Sequence, residues 1–169
     1  MTREYLEGSH KLESEYATYL EERYQGEVYG EALFATMASA CSHPERARKL
    51  RLLEQLERET KDFLLPLVKA VGYSGEESED RIADGNELGA QLAKAPWRDL
   101  LQGFQTELKR FVREFEHAET LAPPEKRNLL RRITDHERAL LEFSNREING
   151  DEIGSLEAVI SLLRDPPGA

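Results

Sequence analysis

The chain has only one cysteine, Cys41, so an intrachain disulfide is excluded, as are CxxC redox chemistry and zinc-finger ligation. A reducing, cytoplasmic setting fits that usage best. Positive charge is also scarce. With 23 Lys and Arg against 33 Asp and Glu, the formal net charge is −10, which argues against a nucleic-acid footprint, since phosphate binding requires a basic face. The local basic groups Arg46, Arg48, Lys49, Arg51 and Lys126, Arg127, Arg131, Arg132 are interleaved with leucine at helical spacing and read as solvated helix faces. Long apolar runs are missing, and the first residues contain no apolar segment of the kind a secretory signal carries, so neither membrane spanning nor export is expected. There is no glycine-rich phosphate loop, no GxSxG elbow and no Cys–His pairing suited to a nucleophile, which disfavours nucleotide-binding and hydrolytic enzymes.

What is abundant is Glu, Leu, Arg and Ala in long tracts with few β-branched runs, the composition of amphipathic helices. The chain reads as one all-α domain over residues 1–169. A helical pattern spans residues 13–41, with stripe positions Leu20, Tyr24, Glu27, Glu31, Phe34 and Ala38. Ser42 to Glu45 forms a short joint, with Ser42 a candidate N-cap and Pro44 suited to a first turn. A second helix over residues 44–71 follows, with Pro66 expected to kink it or to mark a change in its last turn. After the Gly72 to Gly75 break, residues up to 95 are weakly patterned, interrupted by Gly85 and Gly89, and read as a connection with one or two short helices. Pro96-Trp97 opens the third long helix, whose stripe of Leu101, Phe104, Leu108, Phe111, Phe115 and Ala118 is unbroken. Ala122-Pro123-Pro124 makes another short joint, and a fourth helix covers residues 125–149. A last short helix over residues 155–163 precedes a fraying tail, residues 165–169. Two hairpins of long helices joined by one long connection is bundle topology with a crossover.

The oddity lies inside. The second helix carries Glu57 and Thr60 on its apolar stripe, where a lone carboxylate is costly unless it is paired, protonated or bound to a metal. At ~1.5 Å per residue, Glu27 and Glu31 lie roughly 17–23 Å from the first joint and Glu57 roughly 20 Å from it. If the crossover returns the chain to that end, Glu107 lies about 16 Å down the third helix, with His136 and Glu137 close to the same level. One layer then takes a polar residue from each helix.

These residues resemble the ferritin-like superfamily, whose carboxylate-bridged dimetal site takes one Glu from each of two helices and a Glu-x-x-His pair from each of the other two. On that resemblance Glu31, in EVYGEALFATMA, is the first-helix ligand, and Glu57-Arg58-Glu59-Thr60 is the second-helix motif with threonine in place of histidine. Glu107 is the third-helix ligand. The fourth-helix motif is Ile133-Thr134-Asp135-His136, followed by Glu137, with isoleucine in place of glutamate. The resemblance implies a four-helix bundle that binds Fe or Mn through Glu31, Glu57, Glu107, His136 and Glu137, and a non-haem oxidoreductase working with a reduced ligand set. Its substrate is not specified. A second reading fits the same residues: a non-catalytic helical bundle acting through a protein partner or as a homodimer, whose buried carboxylates are structural and closed by hydrogen bonds.

Overall fold

The structure, a computed structural model, describes residues 3–164. The expected frayed tail lies outside the described residues. The described chain is all-α, with no strand among its residues and five long helices packed as a bundle. In order they are α1 (Arg3–Ala40), α2 (Pro44–Ala70), α3 (Glu79–Leu92), α4 (Trp97–Leu121), α5 (Pro124–Ile148) and the short α6 (Glu157–Leu162).

Helix ends follow local chemistry. Pro44 occupies the first turn of α2, which leaves His43, not Ser42, as the N-cap; its Nδ1 accepts from the Arg46 amide at 3.5 Å. Ser78 caps α3 by accepting from the Arg81 amide at 3.3 Å. Helix α2 continues through Pro66 to Ala70. It ends at Gly72, which takes a φ of 100°, and Gly150 after α5 takes 84°, the left-handed conformation that a helix stop favours in glycine.

The α1–α2 hairpin is antiparallel, as its short joint requires. The connection after α2 runs back along the bundle beside α1: Tyr24 Oη donates to Gly75 O at 2.8 Å, and Thr36 Oγ1 donates to Asn86 Oδ1 at 2.8 Å. Its single helix, α3, therefore runs parallel to α1 and returns the chain to the first joint. Helix α4 then descends antiparallel to α1, with Phe104 edge-on to Phe34 at 5.7 Å and Phe115 edge-on to Tyr19 at 6.0 Å. Helix α5 climbs back beside α4, and α6 closes over the α2–α5 end. Two apolar clusters fill the interior. One holds Phe34, Met37, Leu53, Leu56, Leu101, Leu140 and Phe143 toward the first joint; the other holds Leu20, Val28, Leu64, Val68, Phe115, Leu130 and Ile133 toward the far end. Residues 27, 57 and 136 fall where the two clusters meet.

Candidate metal centre

Three helices each bring one polar side chain to that boundary: Glu27 from α1, Glu57 from α2 and His136 from α5. All three are buried, at 4%, 5% and 2% exposure, and one donor atom from each lies within 4.8 Å of the others. His136 Nε2 is 3.2 Å from Glu57 Oε1 and 3.5 Å from Glu27 Oε2. The other ring nitrogen, Nδ1, sits 2.8 Å from Thr60 Oγ1. Thr60 is one helical turn from Glu57 on the same face of α2, so this helix holds both the carboxylate facing the imidazole and the hydroxyl behind it.

Gly30 makes the arrangement possible. A Cβ at residue 30 would overlap Glu57 Oε2, so any larger residue would force the carboxylate out of its present place. The missing side chain is the cradle in which the Glu57 carboxylate rests against α1.

Burial raises the Glu27 carboxyl well above the usual 4.5, and the Glu57 and Glu137 carboxylates add to the rise against the pull of His136. Burial would lower His136, but the Glu27 and Glu57 carboxylates more than offset it and hold the imidazole up at about 10. Glu137 is half-buried behind His136 and is raised to about 7 by burial, with His136 opposing and Glu57 reinforcing the shift. Without an ion, a proton thus holds the group together, an imidazolium between carboxyl groups. Glu27 Oε2 faces His136 Nε2 at 3.5 Å and makes no direct hydrogen bond among the described residues.

The five residues that the family resemblance points to are placed differently from one another. Glu57 and His136 meet in the buried group, and Glu137 lies just behind it. Glu31, one turn beyond Glu27 on α1, is turned toward α2 instead, where Lys61 Nζ stands at 2.6 Å and Arg58 at 3.7 Å. Glu107 is exposed and bonds Arg110 on its own helix at 2.9 Å. Helix α4 offers the interior only Leu100, Leu101, Leu108 and Phe115 as fully buried residues, so it brings no donor to this level. Ile133, where the resemblance would have a fourth-helix glutamate, is fully buried among apolar side chains. Glu27 is the α1 member, and it shares its stripe with Glu31; what distinguishes them is the facing surface of α2, which sets Lys61 and Arg58 against Glu31, while Gly30 of α1 leaves room for the Glu57 carboxylate.

A second buried polar group contrasts with the first. Lys49, buried on α2, pairs with Glu147 of α5 and donates to Glu152 O at 2.8 Å, and Trp97 Nε1 donates to the other Glu147 oxygen at 3.0 Å. Every charge there is met by protein, so it reads as a clamp among α2, α4 and α5. An open cleft of about 430 Å³ lies beside it, lined by Arg46, Trp97, Leu101 and Glu147, away from the Glu27 group.

No candidate membrane span occurs among the described helices. Compared with known proteins, the chain matches no family model, no curated protein and no solved structure.

Proposed function

We propose that this chain is a ferritin-like metal-binding bundle that takes a single Fe(II) or Mn(II) ion at Glu27, Glu57 and His136. The observation that carries the reading is the convergence of one buried ligand atom each from Glu27, Glu57 and His136 to within 4.8 Å of one another. Two buried carboxyl groups beside one imidazole are costly to keep in an apolar interior, and a cation held by all three offsets that cost. The donor set fits. Two carboxylates and one imidazole suit Fe or Mn better than thiolate-seeking ions, and Thr60 behind Nδ1 fixes the ring so that Nε2 faces the carboxylates.

One ion, rather than the family's two, follows from what occupies the other ligand positions. Ile133 and the apolar face of α4 supply no donors, and Thr60 holds the ring instead of binding an ion. When bound, iron or manganese at a three-ligand site supplies Lewis acidity or one-electron chemistry at open coordination positions. The chain's own part is to set the site between two apolar clusters, to hold His136 in one ring orientation, and to release the His136 and Glu27 protons as the ion enters. An oxidoreductase role for this site is part of the proposal.

The second reading, a metal-free bundle closed by hydrogen bonds, draws on the contacts of both His136 ring nitrogens with Thr60 and Glu57. Elemental analysis of protein purified without chelator or affinity tag separates the two. Near-stoichiometric iron or manganese that disappears in Glu57→Ala supports the metal site. Protein that stays empty after Fe(II) or Mn(II) is supplied leaves the structural reading.

A further inference from the structure

The face of α1 that carries Glu27 continues outward at helical spacing through Arg23 and Tyr19, and polar atoms along it share one property. Arg23 Nε and Tyr19 Oη are buried with no hydrogen-bond partner among the described residues, and so is Glu119 Oε1 on α4, one turn beyond Phe115. The groups are neighbours. The Arg23 guanidinium lies 4.3 Å from the Phe115 ring centre and 5.3 Å from that of Tyr19, Tyr19 packs edge-on to Phe115, and Arg131 Nε closes the outer end 3.6 Å from Glu119. Glu137 of α5 borders the inner end, within electrostatic reach of both Arg23 and Tyr19.

Two donors and two acceptors, counting Glu27 Oε2, thus run along one seam through the otherwise apolar cluster of Leu20, Phe115, Leu130 and Ile133. Buried donors and acceptors that lie near one another but do not bond directly are the setting in which proteins hold internal water, since one water satisfies two to four such groups. We infer that a chain of ordered water fills the seam between α1, α4 and α5 along Glu27, Arg23, Tyr19 and Glu119, and that through it water and small exogenous ligands reach the ion. The second clause rests on the metal-binding reading; the first does not. Arg23 gives the route its character: a guanidinium along the way favours water and small anions over a second cation.

Three measurements test this. A crystal structure of the metal-free protein at a resolution that shows solvent is expected to place water on Tyr19 Oη, Arg23 Nε and Glu119 Oε1; a dry seam overturns the inference. Tyr19→Phe gives an independent reading in solution. With water bonded to Oη, loss of the hydroxyl lowers the melting temperature; if the hydroxyl is unbonded, its loss raises the melting temperature and the inference fails. The third uses Co(II)-loaded protein and azide as probe, followed by visible absorbance. Glu119→Leu, which puts an apolar side chain at the outer mouth, is expected to slow azide association tenfold or more at unchanged Co(II) affinity, and an unchanged rate refutes the route. If Co(II) does not bind at all, the metal reading fails and the route with it, while hydration of the seam is still decided by the first two results.

Discussion

At the scale of single residues, Thr60 carries an unexpected part. On the family pattern its position belongs to a histidine ligand, and here its hydroxyl meets the Nδ1 of His136 at 2.8 Å and orients the ring. Thr60→Val keeps the shape of the side chain and removes that contact. The expected result is a 10- to 100-fold loss of Mn(II) affinity, the usual cost of losing a partner behind a ligand, measured by competition with a chelating dye. The carboxyl groups predict the pH response of the metal-free protein. Glu27 and Glu137 hold their protons above the usual 4.5, so the folded state binds more protons than the unfolded one as pH rises past that value, and stability falls. For Glu137 the loss is complete near pH 7. His136, raised from 6.5 to about 10, contributes stability that is whole below 6.5 and is lost as pH climbs through about 10. Melting temperature without metal should therefore drop by several degrees between pH 5 and pH 8, as differential scanning calorimetry would register. Glu27→Gln, which has no proton to lose, should flatten part of that slope.

At the scale of elements, glycine decides two approaches between helices. Gly85 and Gly89, one turn apart on α3, look in the sequence like interruptions of a weak pattern. In the fold they are its contact surface: a Cβ at residue 85 would lie 2.4 Å from Tyr29 O, and one at residue 89 would lie 2.7 Å from Leu33 O. Because these clashes are with backbone, no side chain can swing aside to relieve them. Gly85→Ala should cost about 1–3 kcal/mol in urea unfolding despite alanine's better helix propensity, by forcing α3 off α1. Gly30→Ala works on the site instead, since its Cβ would displace the Glu57 carboxylate, and metal affinity should fall more than stability does. Four of the five long helices were legible from apolar spacing, proline and glycine, because those signals are local; α3, whose contact face is glycine, read only as a connection with short helices. Which glutamate of α1 faces inward was not, because Glu27 and Glu31 share one stripe, and only the rotation of α1 against α2 sends Glu31 to Lys61 and Glu27 to His136. Glu107 was misleading for a similar reason: its depth along α4 is right, but its side chain points to solvent and Arg110. Periodicity reports a face to within about one residue's rotation, and a ligand must be placed more finely than that.

At the scale of the whole molecule, site and stability are tied together, because the same buried atoms hold either protons or an ion. An ion that binds only the folded chain adds about 2.7 kcal/mol at a hundred times its dissociation constant. For a domain of this size that raises the melting temperature by roughly 5–10 °C. The ion must displace protons from His136 and Glu27, so its affinity, and with it the shift in melting temperature, should grow from pH 6 to pH 8. Over the same interval the metal-free protein loses stability, and the curves with and without Mn(II) should diverge as pH rises. In Glu27→Gln both features should weaken together: a flatter metal-free curve, and a smaller shift on adding Mn(II). A metal-free curve that falls as expected, with no shift from Mn(II) or Fe(II) at any pH, would leave the buried group as a proton-held structural layer. Divergence of the curves would instead mean that the ion takes the place of the protons that hold the buried group together in the metal-free chain.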